Sequence, residues 1–162
     1  MSLYKQLLAC LLAAALSGCG FQLAGTEQIA PELGATYLET DDEYSEFYRK
    51  FSAALRQRGV ILVTERAKAR SIFRLKEDET GQRVLSVSAQ NVPREYEVYY
   101  AIAYDLSVDG AIRSGANDLT LTRDYTWSEA QVLGKQREET VLRSALVDEL
   151  VAIVIRRLAY SD

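Results

Sequence analysis

From Tyr96 to Val108 every second residue is apolar: Tyr96, Val98, Tyr100, Ile102, Tyr104, Leu106 and Val108. Successive strand side chains point to opposite faces, so an extended strand puts all seven on one side, and a helix does not. The run is long, since strands usually have about 5–6 residues. The other parity carries Glu97, Tyr99, Ala101, Ala103, Asp105, Ser107 and Asp109, which suit solvent better than a core. The chain is therefore built on a sheet with one covered and one open face. A long strand left exposed also invites a partner.

Two helices are available as the cover. Tyr44, Phe47, Tyr48, Phe51 and Leu55 recur at helical spacing, with Asp41 or Asp42 as the expected cap and Gly59 as the stop. Leu142, Ala145, Leu146, Leu150, Ile153, Val154 and Leu158 form the stripe of a long last helix, and Val141, Val147, Val151 and Ile155 widen it. Further strands are expected at Ala35–Thr40 and at Val60–Thr64, the latter well buried. Phe73 and Leu75, then Leu85, Val87 and Ala89, suggest a hairpin turning at Thr80-Gly81, and Pro93 is expected to break the ladder. Asp109-Gly110 signals a turn into a returning strand with Leu119, Leu121, Tyr125 and Trp127 on one parity. The predicted architecture is α+β: a two-layer sandwich with two helices on one face of a mostly antiparallel or mixed sheet of four to six strands.

Composition narrows the chemistry. The 162 residues contain no histidine, and the formal net charge is −4. Histidine-based triads, Cys-His pairs and His-rich zinc sites are excluded, and nothing basic overall points to nucleic acid. No cofactor or metal is expected. Asp105 and Asp109 share a strand face and are the remaining acid-base candidates, but acids on a solvated face explain them as well. The basic run Arg66, Lys68, Arg70, Arg74 and Lys76 likewise reads as a solvated face.

The N-terminus fixes location. Lys5 precedes an unbroken apolar run, Leu7–Leu16, which as a helix spans about 15 Å, half the bilayer core. That is the length of a signal-peptide core. Leu16-Ser17-Gly18-Cys19 then resembles the bacterial lipobox, in which the cysteine thiol is acylated and the chain is cut before it. Residues 1–18 are expected to be a lipoprotein signal peptide, 19–34 a lipidated extended segment, and 35–162 a single domain. Several acyl chains on Cys19 would make a stable anchor, each buried methylene contributing about 0.8 kcal/mol. Gly20, where Asp would signal inner-membrane retention, resembles an outer-membrane address.

The stretch from Gly18 to Leu33, GCGFQLAGTEQIAPEL, resembles the opening of the LptE family of lipopolysaccharide-assembly lipoproteins. The likeness continues through GVILV at 59–63, EYEVYYAIAYDL at 95–106, TRDYTW at 122–127 and LGKQREE at 133–139. Where many members carry arginine after Phe-x-Leu, Ala24 stands here. The resemblance implies a non-enzymatic lipoprotein of the outer membrane that complexes with the LptD β-barrel. It would plug the barrel lumen, assist barrel assembly and help lipopolysaccharide reach the outer leaflet. It also implies lipopolysaccharide contacts at Lys135, matching a family lysine in the turn before the last helix, and at Arg94, in the loop before the long strand. Arg123 matches a family arginine on the penultimate strand. The rival reading is a stand-alone, periplasm-facing lipoprotein that binds a ligand in an enclosed pocket or serves as a scaffold.

Overall fold

The computed structural model describes Ile29, residues 33–126 and residues 132–160, the last range as backbone only up to 136. The signal segment, Cys19 and Trp127 lie outside the described residues. The element order is β1 (Ala35–Glu39), α1 (Glu46–Gln57), β2 (Ile61–Leu62), a single 3-10 turn at Arg66–Lys68, β3 (Ser71–Val87), β4 (Pro93–Val108), β5 (Ala111–Thr126) and α2 (Val132–Ala159). The five strands form one mixed sheet in the order β2-β1-β3-β4-β5. β1 is parallel to both its neighbours, and β3, β4 and β5 form an antiparallel meander.

α1 starts later than the aromatic stripe suggests. Ser45, not Asp41 or Asp42, is the N-cap, and its hydroxyl accepts the Tyr48 amide at 3.0 Å. Asp42 instead accepts the Tyr44 amide at 2.8 Å, closing a turn that leaves Tyr44 outside the helix and 88% exposed. Phe47, Phe51, Ser52 and Leu55 are buried. The helix ends where Gly59 takes φ +80°, a conformation glycine adopts without a Cβ penalty. Val60–Thr64 yields only the two-residue β2. It is an edge strand, so Ile61 is exposed rather than buried.

Thr80-Gly81 does not turn. β3 runs straight through it, and Gly81 pairs with Tyr99 of β4. The Tyr99 ring lies over it: a Cβ at Gly81 would stand 2.6 Å from the Tyr99 hydroxyl oxygen, so that ring would have to swing aside. The period in β3 changes because of a bulge between Leu75 and Glu77. Pro93 does not break the ladder either. It opens β4 opposite Val87, a position where a strand tolerates proline. Arg94 therefore lies in β4, not in a loop. Asp109 (φ 51°) and Gly110 (φ 81°) form the expected two-residue hairpin turn.

α2 begins at Val132, so Lys135 falls in its first turn rather than in a turn before it. The buried face of α2 is Leu146, Val147, Leu150, Val151, Val154, Ile155 and Leu158. It is centred further round the helix than the expected stripe, since α2 packs against both α1 and the sheet. Ala145 and Val141 are left exposed in consequence.

The core lies between the helices and one sheet face. Val98, Tyr100, Ile102, Tyr104, Leu106 and Val108 of β4 are all buried there, as the alternation predicts. An aromatic chain crosses the layer. Phe47 stacks on Phe51 at 5.4 Å, Phe51 meets Phe73 at 4.6 Å, and Phe73 stacks on Tyr104 at 4.8 Å. One polar cluster joins the helices. Lys50 Nζ meets Glu46 at 3.1 Å and Asp148 at 2.7 Å, and donates to the Ser144 hydroxyl at 2.8 Å.

Two stability predictions follow from this packing. Phe73→Ala, which removes the ring linking Phe51 to Tyr104, should cost about 3–5 kcal/mol in urea unfolding, against less than about 0.5 for Ile112→Ala at an exposed site. Partial burial opposes the charged form of Glu46, but the hydrogen bonds from Ser144 and Lys50 outweigh it and hold the carboxyl below its ordinary 4.5. Folding thus favours the carboxylate. Its contribution is complete above the unfolded value and is lost as pH falls through the lower folded value. Glu46→Gln should be less stable than wild type by up to about 1 kcal/mol at pH 7, with the gap closing as pH drops below 4.5. A gap independent of pH would show that charge plays no part.

Candidate functional site

The bulge in β3 divides the helix-facing side of the sheet into two chemically different halves. Before it, Phe73 and Leu75 face the helices. After it, Asp78, Thr80 and Gln82 do, opposite Ile102, Tyr100 and Val98. These polar groups find partners. Asp78 accepts hydrogen bonds from the Tyr100 hydroxyl at 2.6 Å and from the Ser45 hydroxyl, tying the cap of α1 to the sheet. Gln82 accepts from the Tyr125 hydroxyl at 3.0 Å, and Thr80 accepts from Arg143 of α2 at 3.0 Å. Burial, the bond to Asp78 and its charge together push the Tyr100 phenol well above its ordinary range, so it stays a donor. Arg123 also points to the helix side, and pairs with Glu149 of α2 at 2.7 Å. That pair links β5 to α2.

The open face is polar and partly neutralised: several of its carboxylates pair with cations, while Glu77, Asp118 and Asp124 have no ion pair among the described residues. Glu39 pairs with Arg66 at 2.9 Å and Arg74 at 3.4 Å, while Asp105 pairs with Arg74 at 3.5 Å and Lys76 at 2.6 Å. Lys68 pairs with Glu65, Arg70 with Asp109, and Arg83 with Glu97. The basic run is thus engaged with carboxylates, and Asp105 and Asp109 are engaged with cations rather than poised as an acid-base pair. Small residues fill the middle, with Ala101 opposite Thr120 and Ala103 opposite Asp118. Tyr99, on this face, lies over Gly81 and donates to Glu79 at 3.0 Å.

Arg94 differs from this background. It is exposed, and no ion pair holds it among the described residues. It stands beside the β3–β4 turn, where Val84, Leu85, Val87 and Val92 are also exposed. The Lys135 side chain lies outside the described residues. Sequence reasoning missed Asp78 because its inward position depends on the bulge, which no residue signals. Among the described residues there is no metal-ligating cluster and no helix long and apolar enough to cross a membrane. A cleft lined by Tyr104, Ser114, Asn117, Arg157, Leu158 and Tyr160 opens to the surface, unlike an enclosed ligand pocket.

Comparison with known proteins decides what kind of chain this is. The family model LptE, lipopolysaccharide-assembly, matches residues 33–158. The chain belongs to the LptE family. The LPS-assembly lipoprotein LptE of Yersinia enterocolitica is 27% identical over 147 residues, covering 88% of this chain and 69% of that protein. Its counterpart in Yersinia pestis is 25% identical over 149 residues, with the same coverage. The fold also matches lipoprotein B of Nitrosomonas europaea, with a TM-score of 0.71 at 23% identity over 86% of this chain and 90% of that one. The rare lipoprotein B of Shewanella oneidensis matches with a TM-score of 0.62 at 24% identity, over 77% and 90%. LptE proteins are non-enzymatic lipoproteins, the LptD partners in outer-membrane lipopolysaccharide assembly.

The buried hydroxyl network carries its own prediction. Asp78→Ala leaves the Tyr100 hydroxyl without its acceptor and should cost about 1–3 kcal/mol in chemical unfolding. Adding Tyr100→Phe should recover part of that loss, because the stranded donor is then gone. Strict additivity of the two changes would show that the pair is uncoupled.

Proposed function

We propose that this chain is the lipid-anchored plug of an LptD-type barrel. The mature protein begins at Cys19, whose acyl groups hold it at the periplasmic side of the outer membrane. The domain at 35–162 sits in the barrel lumen, with the open sheet face against the lumen wall. There it assists barrel assembly and the passage of lipopolysaccharide to the outer leaflet. The interiors of such barrels are polar, so a plug needs a rigid polar wall. The open face, polar and cross-linked by ion pairs, supports that reading, and it is the observation that carries it. Arg94 and Lys135 are assigned to phosphates of lipopolysaccharide, which guanidinium and ammonium groups bind as bidentate or point-charge partners.

Affinity capture of the lipidated protein, followed by mass spectrometry, should return a large outer-membrane β-barrel in equal amount. Depletion should lower both assembled barrel and surface lipopolysaccharide. Recovery of a monomer, with lipopolysaccharide export intact after depletion, would favour a stand-alone lipoprotein instead. Cys19→Ala should remove the acyl mass from the protein and release it from the membrane fraction.

A further inference from the structure

The open face is polar along most of its length, but one end of it is not. Ile61 of β2 is 66% exposed there and Ile112 of β5 76% exposed. Ile61 stands opposite Ala35 of β1. Ile112 stands opposite Ser107, Ser107 opposite Ile72, and Ile72 opposite Tyr37. Partners in register share a face, and alternation puts these residues on the face of Glu39 and Asp105. An apolar band therefore crosses the sheet from one edge strand to the other, with Ala35, Tyr37 and Ile72 half-buried inside it. Single exposed apolar residues are ordinary, but a band across one end of a polar face points to a contact.

The band lies where the chain enters the sheet. The Ile61 amide donates to the Gly34 carbonyl at 3.2 Å, the Arg70 amide to the Ala35 carbonyl at 2.8 Å and the Asp109 amide to the Arg70 carbonyl at 2.9 Å. These bonds join the start of β1, the segment after the 3-10 turn and the β4–β5 turn into one rim. Residues 20–29 lead from Cys19 to Ile29, which is already buried in the core. Fully extended, ten residues reach about 35 Å at most, so acyl groups on Cys19 keep the domain at the membrane. Cations flank the band. Arg66, Lys68 and Arg70 are held by exposed pairs with Glu39, Glu65 and Asp109, which are weak enough to yield to lipid phosphates. The interior of a barrel is polar, so an apolar band does not suit the lumen wall. Beyond the periplasmic edge of that wall, the same face meets the leaflet that holds the anchor. Resting on the function proposed above, we infer that this rim lies on the phospholipid surface of the leaflet that carries the Cys19 acyl groups. Ile61 and Ile112 enter the boundary between headgroups and acyl chains, and Arg66, Lys68 and Arg70 stand at the phosphates. The contact sets the depth at which the plug stops in the lumen.

The test uses the acylated chain with its barrel in vesicles of phosphatidylethanolamine and phosphatidylglycerol. On the reading above, Cys10 is removed and the Cys19 thiol is acylated, so one introduced cysteine takes a single fluorophore. A lipid with a nitroxide at the top of its acyl chain should quench a label at Ile61→Cys or Ile112→Cys. Labels at Thr120→Cys, further along the open face, and at Val141→Cys, on α2, should keep their emission. With the label at Lys68→Cys, adding Ile61→Ser and Ile112→Ser should lower the ratio of quenched to unquenched label about tenfold. Ile61→Leu with Ile112→Leu, which keeps the apolar area, should leave that ratio at its original value. Full emission from both isoleucine positions would overturn the membrane contact, as would equal quenching at all four labelled sites or an unchanged ratio in the serine variant. So would labels at Ile61 and Ile112 that are shielded from aqueous iodide but not quenched by the lipid, because protein would then cover the band. A chain without acyl mass on Cys19, or one that recovers no barrel, would instead overturn the anchored-plug reading beneath it, and the membrane contact with it.

Discussion

The ladder between β3 and β4 sets the positions of everything that covers it. Its central constraint is the bulge after Leu75, which changes the parity of β3 without changing that of β4. On one side of the bulge Phe73 joins the aromatic chain from Phe47 to Tyr104, and the layer closes by burial. On the other side the same strand turns Asp78, Thr80 and Gln82 to the helix side, where Asp78 is half-buried, Thr80 and Gln82 stay exposed, and hydrogen bonds link the three to Tyr100, Ser45, Arg143 and Tyr125. Side chains buried with partners cost little, and those buried without them cost heavily. The half-buried Asp78 therefore needs the Tyr100 and Ser45 hydroxyls, and through Ser45 it fixes the start of α1.

The open face follows a different logic. Its ion pairs are exposed or partly exposed, and such pairs contribute only about 0–1 kcal/mol each. Glu39, Asp105 and Glu97 are each matched to a cation, while Glu77, Asp118 and Asp124 on the same face have no ion pair among the described residues, so the wall is hydrogen-bonding and acidic in balance. A surface of that kind fits a polar, water-lined enclosure better than it fits an anionic ligand. The single uncommitted cation described on the hairpin, Arg94, stands at the end of the hairpin, beside apolar side chains.

Much of this was legible in the sequence, for physical reasons. The alternation from Tyr96 to Val108 survives in the structure because β4 is central and one of its faces is fully covered, so burial enforces the period. Asp109-Gly110 was legible because both residues adopt positive φ in a tight turn. Gly81 was not, because a glycine that makes room for a ring looks the same as one that turns the chain. The bulge at Leu75/Glu77 leaves no mark of its own, and strict alternation from Phe73 and Leu75 puts Asp78 on the wrong face. β2 was overestimated because a run of β-branched residues signals strand but not whether the strand is an edge. The cap moved from Asp42 to Ser45 because both residue types cap, and the choice depends on Asp78 across the sheet.

The account's central claim is that the open sheet face lies against the wall of a barrel. A photoreactive amino acid placed at Thr120, exposed on that face opposite Ala101, tests it in intact cells. On irradiation the account predicts a covalent adduct between this chain and a large outer-membrane β-barrel. Membrane-anchored protein that yields no barrel adduct from that position would contradict it.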